Sequence, residues 1–271
     1  MTRVIGFDLA LNHGAAVELE DGKPTWWKFY TDMAGCAERG KDLATRLAIP
    51  ESVKDKQQRQ MMRLAQIEHW IDKEVLVPRA PDYVGIEDYA LDVNHGSHYM
   101  GEVGGVARIL VWFRGIPLRL HDPISIKMWA TTDGTAQKDA IERAIAERFP
   151  GLPFDDYNMP KPPKAKRQNR QTSEDLADAT AVAELVWTEV QLREGKLTTA
   201  DLDHKKRIQV FNRVTKSYPT SLLGRDWLYN PNGNEKPHGG LRARVEQKIK
   251  ELDLAGAPKA AKLLKDLLRD S

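Results

Sequence analysis

Short apolar runs alternate with longer segments of helical periodicity along this chain, and that alternation predicts an α/β fold. Residues 4–10 and 83–89 are short and mostly apolar, as buried strands are. Residues 14–20 and 25–31 flank Asp21-Gly22, a dipeptide suited to a tight hairpin turn. We therefore expect three consecutive strands at the beginning of the chain and a further one around residue 85.

The rest of the pattern adds helices between and after the strands. We predict helices over residues 54–74, 99–113, 135–149 and 173–186, and a fifth strand over residues 116–120. Residues 35–52 show neither the strand nor the helix periodicity of apolar residues, and they are interpreted as a loop or lid. The predicted order is three strands, helix, strand, helix, strand and two helices.

Four acids lie within these apolar elements. Asp8 and Glu87 are embedded in two of the predicted strands. Asp175 and Asp178 lie three residues apart on one side of the last helix, in line with its apolar positions. A partly buried, unpaired carboxylate is costly, and a basic partner or a bound cation is the usual remedy. Together the four form a ligand set for two hard divalent ions, which suits phosphodiester hydrolysis.

Simpler interpretations exist for two of these acids. Asp8 could be a turn residue that ends its strand, and Asp175 could favour the positive N-terminus of its helix. Asp178 lies a turn further into the helix, and Glu87 lies inside an apolar strand, where such explanations apply less well. The sequence as a whole therefore favours one shared metal site.

Composition narrows the class of protein. The chain has 271 residues, of which 41% are hydrophobic, enough for one sizeable core and a smaller appended unit. Its only cysteine, Cys36, excludes a disulfide framework and a thiolate metal site and indicates a reducing, cytoplasmic location. No signal core follows the N-terminus and no apolar stretch could span a bilayer. We therefore expect a soluble protein that does not act on membranes.

Basic residues are unevenly distributed along the chain. The net charge is only +2, yet residues 191–271 contain 17 Lys and Arg against 10 Asp and Glu. Those residues lack a strand pattern and are predicted to form a basic, helical C-terminal extension of a domain over residues 1–190. They could make a small helical domain or dock on the rest of the chain.

A second basic segment lies inside the predicted domain. The loop over residues 152–171 is rich in Pro and has no acid after Asp156. It is either a solvated linker or an arm that contacts DNA phosphates beside the acidic helix. The candidate DNA-binding residues are Lys161, Lys164, Lys166, Arg167 and Arg170.

Residues 1–190 resemble the RuvC family of Holliday junction resolvases, within the RNase H-like nuclease superfamily. The resemblance is carried by Ile5-Gly6-Phe7-Asp8, Pro81-Asp82-Tyr83-Val84-Gly85-Ile86-Glu87, Pro123 to Lys127 with Gly134-Thr135-Ala136-Gln137-Lys138, and Asp175-Leu176-Ala177-Asp178-Ala179. It implies an RNase H-like mixed five-stranded sheet flanked by helices, dependence on Mg²⁺ or Mn²⁺, a homodimer and cleavage of branched DNA. It also implies that Lys138 lies near the scissile phosphate, where its charge would offset that of the transition state.

The chain departs from the family pattern in three places. Leu9-Ala10-Leu11-Asn12-His13-Gly14 follows the first acid, where the family usually has a Pro-Gly type turn. Ala90 stands where the family often has an aromatic residue, although Tyr89 is adjacent. The basic loop and the extension have no counterpart in compact family members. Four-way junction preference is therefore less firmly implied than nuclease chemistry.

Other functions remain open on the sequence alone. A nuclease of broader specificity for branched DNA would carry the same residues. An actin-like or hexokinase-like ATPase also begins with an Asp-bearing strand, but it needs two glycine-rich phosphate loops that this chain lacks. A non-catalytic nucleic-acid-binding scaffold would be expected to have lost an acid. Lys138 could be an ordinary solvated lysine, Lys127 is interpreted as one, and we expect surface or loop positions for His13, His95 and His98.

Overall fold

The computed structural model describes residues 1–33, 43–88, 97–154 and 171–229 of the chain. Six strands form one sheet: β1 (Arg3–Leu9), β2 (His13–Glu20), β3 (Lys23–Thr31), β4 (Ala44–Arg46), β5 (Tyr83–Glu87) and β6 (Leu118–His121). Their order across the sheet is β4-β3-β2-β1-β5-β6. The antiparallel β1 to β3 meander follows from the hairpin signal, and β5 and β6 add to β1 in parallel. The predicted α/β class, a mixed sheet flanked by helices, is confirmed.

The number of strands differs from the prediction. The sequence predicts five, and the sixth is β4, which pairs in parallel with the end of β3 inside the segment interpreted as a loop or lid. A three-residue strand at a sheet edge is held by backbone hydrogen bonds, so it leaves no side-chain period in the sequence.

Helices cover both faces of the sheet. They are α1 (Lys56–His69), which continues into a π-helical stretch over Trp70–Leu76, α2 (Ser97–Phe113), α3 (Pro123–Thr131), α4 (Lys138–Arg148), α5 (Gln171–Arg193) and α6 (Lys205–Asn212). Inward residues of α1 and α2 pack with one face of the sheet, and those of α3, α4 and α5 pack with the other. Successive residues of β1 therefore pack in the cores on opposite faces of the sheet, Val4 in one and Ile5 in the other.

Helix boundaries differ from the prediction in three places. α3 was not predicted as a separate element, although Asp122-Pro123 is a helix-start signal and the Asp122 side chain accepts a hydrogen bond from the backbone of Ser125 at 3.1 Å. α4 begins at Lys138 rather than at residue 135. α5 runs from Gln171 to Arg193 and so extends beyond the predicted residues 173–186.

The described part of the C-terminal extension packs on the domain. α6 places Val210 and Phe211 against Trp129 of α3 and Leu185 of α5. Leu228 forms a backbone bridge with Leu118 of β6. This segment is a set of docked short elements, and the domain boundary at residue 190 stays a prediction.

Several predicted features lie outside the described residues. These are the basic arm over residues 161–170, the positions of Tyr89 and Ala90, and the helices expected after residue 230. Within the part that is described, no helix combines the length and the apolar character needed to cross a bilayer.

Candidate active site

Two of the predicted site acids come from neighbouring parallel strands. Phe7 of β1 pairs in register with Ile86 of β5, so the next residues, Asp8 and Glu87, follow side by side at the carboxyl ends of the two strands. Both side chains are half-buried. The parallel pairing thus joins two acids that are far apart in the sequence.

A pair of glycines lets α5 approach these strands closely. Gly6 and Gly85 are register partners on β1 and β5. A Cβ at Gly6 would lie 2.2 Å from the carbonyl oxygen of Ala179, and one at Gly85 would lie 2.6 Å from a methyl group of Val186. With no side chain at either position, the N-terminal part of α5, which carries Asp175 and Asp178, lies over the acid-bearing end of the sheet. The apolar positions after these acids are buried, as predicted.

The charges of the four acids act on one another. Burial raises the pKa of Asp8 well above its usual range, and the charges of Asp175, Asp178 and Glu87 raise it further. Burial, followed by the charge of Glu87, raises the pKa of Asp178 to about 7. A set of carboxyls that resist ionisation together is one in which a cation would be strongly stabilising.

Lys138 lies at this cluster. Its Nζ atom is 3.6 Å from a carboxylate oxygen of Glu174 and 4.0 Å from one of Asp178. Burial alone would lower the pKa of Lys138, but the charges of Asp178 and Asp8 raise it overall. The lysine is therefore a fixed positive charge beside the acids.

Lys127, which the sequence pattern indicated to be solvated, contributes more weakly. Burial raises the pKa of Glu87, while the charges of Lys138 and then Lys127 lower it. Both lysines thus act on the acid at the end of β5.

The structure adds His13 to the site, where the sequence predicted only a surface or loop histidine. His13 begins β2, and its Nδ1 atom lies 2.7 Å from Oδ2 of Asp175. The Asp175 side chain is almost fully buried, and its other oxygen, Oδ1, is buried without a hydrogen-bond partner. Two positions 162 residues apart gave no joint signal in the sequence.

Tyr30 is a second residue of the site that the sequence did not predict. Its buried hydroxyl donates a hydrogen bond to the carbonyl oxygen of Ala10 at 2.5 Å, which fixes the turn that follows Asp8. Burial raises the pKa of Tyr30 well above its usual range, and the charges of Asp175 and Asp8 act in the same direction. The hydroxyl therefore remains a proton donor.

The residues present fit a hard divalent cation by their chemistry. Carboxylate oxygens are the ligands that such ions prefer, and the orphaned Oδ1 atom of Asp175 is a buried acceptor that a cation would satisfy. Among the described residues, no three acidic, His or Cys side chains are already grouped in a coordinating arrangement.

The raised pKa of Asp178 predicts how the stability of the metal-free protein depends on pH. Between 3.8 and about 7, the folded state keeps a proton that the unfolded state has released. The free energy of unfolding should therefore fall as the pH rises through this window, and Asp8 and Glu87 act in the same direction. Each kcal/mol of stability that is removed should lower the melting temperature by about 2–4 °C.

Thermal melts in chelator at a series of pH values measure this effect. The Asp178→Asn variant, which cannot titrate there, should show a flatter pH dependence than the wild type. An equally steep dependence in the two proteins would contradict the assignment to Asp178.

Known proteins resemble this chain both in sequence and in structure, although no family model matches it. The crossover junction endodeoxyribonuclease RuvC of Paenarthrobacter aurescens is 31% identical over 119 residues, which cover 43% of this chain and 51% of that protein. The RuvC protein of Bifidobacterium adolescentis is 34% identical over 105 residues, 38% of this chain and 46% of that one. The alignments thus span about half the length of these curated relatives.

Two solved structures of RuvC from Thermus thermophilus also match. One, in complex with a Holliday junction substrate, is 18% identical, covers 68% of this chain and 92% of that chain, and has a TM-score of 0.44. The other is 19% identical, covers 72% and 97%, and has a TM-score of 0.43. The sequence relatives, which share more than 30% identity over the matched segments, show that this chain is similar to the RuvC family.

Proposed function

We propose that this protein is a divalent-metal-dependent endonuclease that resolves Holliday junctions by paired phosphodiester cleavage. The observation that carries the proposal is the placement of Asp8 and Glu87 at the carboxyl ends of β1 and β5, beneath the helix that carries Asp175 and Asp178. The sequence similarity to curated crossover junction endodeoxyribonucleases supports the substrate class.

In this proposal Asp8, Glu87, Asp175 and Asp178 hold two Mg²⁺ or Mn²⁺ ions. When bound, the ions supply an activated water and stabilise the leaving oxygen of an in-line displacement. His13 would orient the Asp175 carboxylate through Oδ2, and Oδ1, which is buried without a hydrogen-bond partner, would be available to hold an ion. Lys138 places a positive charge beside the acids, where it offsets the charge that develops on the phosphate.

The test uses labelled four-way, three-way, flap and linear DNA. We expect symmetric nicks in two opposing strands of the four-way junction, with Mg²⁺ but not with chelator. Equal cleavage of all branched substrates would favour the second candidate, a nuclease of broader branched-DNA specificity. Absence of metal-dependent cleavage on every substrate would refute the nuclease proposal and favour a non-catalytic DNA-binding protein.

The basic arm is proposed to contact DNA phosphates. Replacing Lys164, Lys166 and Arg167 together by Gln should weaken junction binding and flatten its dependence on salt, by about 0.9 in the logarithmic slope for each phosphate that the arm no longer neutralises. Filter binding at several salt concentrations, in chelator, measures the slope. A matched triple change of the exposed Lys205, Lys206 and Lys216 serves as the control for net charge. An unchanged slope in the arm variant would return this segment to a linker, and an equal fall in both triple variants would show an effect of net charge alone.

A further inference from the structure

The segment over residues 213–228, here called the strap, runs along the edge strand β6, from Asp122, which follows the carboxyl end of that strand, to Leu118, its first residue. On the way it contacts Asp88, beside the candidate active site. At its beginning, Arg213 donates a hydrogen bond to Oδ1 of Asp122 at 2.8 Å. At its end, Leu228 and Leu118 of β6 exchange two backbone hydrogen bonds of 2.9 and 3.0 Å. The strap is therefore fixed to the domain at both ends, although it belongs to the C-terminal extension.

The middle of the strap presents one tyrosine to the sheet. The backbone of Thr215 donates to the carbonyl oxygen of Tyr218 at 2.8 Å, and the backbone of Tyr218 donates to the Thr215 hydroxyl at 3.0 Å. This closed turn directs Tyr218 toward Asp88, and its hydroxyl donates a hydrogen bond to Oδ2 of Asp88. The guanidinium of Arg225 lies 4.2 Å from the centre of the tyrosine ring and holds it from the other side.

Asp88 immediately follows the candidate catalytic acid Glu87, and three elements hold it. Arg108 of α2 donates to its Oδ1 atom at 2.5 Å, while Tyr218 uses Oδ2. The backbone N–H of Asp88 donates to the carbonyl oxygen of His121, at the end of β6, at 2.7 Å. Both carboxylate oxygens of Asp88 are thus already bonded, so this acid is better suited to fixing the end of β5 than to coordinating a metal ion.

We propose that Tyr218 is a positioning residue for Glu87, acting through Asp88, so that the strap completes the active site. The inference rests on the proposed metal-dependent nuclease function. Glu87 is the last residue of β5 and pairs with His121 of β6, and the contacts of the next residue, Asp88, fix the point at which the strand ends. Catalytic geometry tolerates errors of only about 0.5 Å, so removal of one hydrogen bond at Asp88 lowers activity without unfolding the protein.

The test compares two tyrosine variants that each remove a single hydroxyl near β5. Tyr218→Phe removes the bond to Asp88. Tyr83→Phe is the matched control, because Tyr83 begins the same strand at its other end and its ring packs on Trp227, an arrangement that phenylalanine retains. Measurements on the full-length chain are kcat and KM for junction cleavage, the affinity for Mn²⁺ without DNA, and the melting temperature.

We expect Tyr218→Phe to lower kcat by about tenfold, because one hydrogen bond to a charged group contributes a factor of this size. The KM and the melting temperature of this variant should stay close to those of Tyr83→Phe. Mn²⁺ affinity should fall in Tyr218→Phe and not in the control. Equal kcat and equal Mn²⁺ affinity in the two variants would overturn the proposal. So would a decrease of kcat in Tyr218→Phe that only follows a decrease of melting temperature.

A double-mutant cycle separates the path through Asp88 from other effects. If Tyr218 acts through Asp88, adding Tyr218→Phe to Asp88→Asn should change Mn²⁺ affinity little beyond the single Asp88→Asn change. Fully additive effects would refute that path. If the wild-type protein cleaves no DNA, the proposed function fails, but the Mn²⁺ affinities of the four proteins still decide whether Tyr218 positions Glu87.

Discussion

Replacing Asp8 by Asn should lower junction cleavage by about 10²- to 10³-fold, because the change removes one of the four carboxylates that would hold the proposed ions. Glu87→Gln, Asp175→Asn and Asp178→Asn should each have an effect of similar size. Binding of the uncleaved junction should remain or become tighter, because one negative charge facing the phosphates is removed. Single-turnover cleavage with Mg²⁺ and binding in chelator measure the two effects separately.

The same Asp8 variant should be more stable than the wild type when no metal is present. Burial and three neighbouring acids raise the pKa of Asp8, so its charge destabilises the folded state at neutral pH. A higher melting temperature together with abolished cleavage would show that the variant is inactive for chemical reasons and not because it misfolds. Asp139→Asn changes an exposed acid on the first turn of α4 and is the control. Near-wild-type turnover in two of the four acid variants would refute the site.

We propose that this chain forms a homodimer through α2, so that changing Ile109 to Glu should give a monomer and uncouple the two nicks. A four-way junction has two-fold symmetry, so two identical nicks need two active sites related by a matching axis, which a homodimer provides. On α2, Ile109 is 57% and Trp112 is 41% exposed, while Val103 and Val111 on the same helix are fully buried. An exposed apolar face of this kind is suited to a second copy of the chain. A charge at its centre should cost about 2 kcal/mol or more of association energy.

Sedimentation tests whether the protein is a dimer, and analysis of the cleavage products tests whether the two nicks are paired. Val77→Glu is the control, because Val77 is 49% exposed but lies on the helical turn that follows the π-helical stretch. The Ile109 variant should sediment as a monomer and release singly nicked junctions, whereas the control should give two nicked duplexes whose ends can be religated. Paired nicking by a monomeric wild-type protein would exclude this model and leave the metal-nuclease proposal standing.

The acids could be found in the sequence because each one interrupts a local apolar pattern. Asp8 and Glu87 lie in apolar strands, and Asp178 continues the buried stripe of α5, so a single segment was enough to mark each residue. The fold class follows from the same local periodicity of apolar residues along the chain. The parallel pairing of β1 with β5 joins segments that are far apart in the sequence. It could therefore be expected only from the resemblance to a known family.

Contacts between distant segments could not be predicted in this way. His13 has the pattern of an ordinary polar residue before a strand, and its contact with Asp175 exists only after β2 and α5 have packed. The strap contains no long helix and no strand period, and its position depends on single contacts such as Tyr218 with Asp88. Local sequence patterns do not encode such pairs, because both partners are ordinary residues in their own segments.

The glycine pair beneath α5 has a consequence for the choice of ion. Gly6 and Gly85 set the height of the helix above the sheet, and hence the gap between its two acids and those on the strands. Mg²⁺ demands near-octahedral geometry at about 2.0–2.1 Å, whereas Ca²⁺ accepts looser coordination at about 2.3–2.6 Å. A methyl group at Gly6 would meet the helix backbone and lift α5, which would favour Ca²⁺ over Mg²⁺ with every acid still in place. In the proposed site, the preference for one ion would thus depend on Gly6 and Gly85, which lie beneath the acids and would supply no ligand atom.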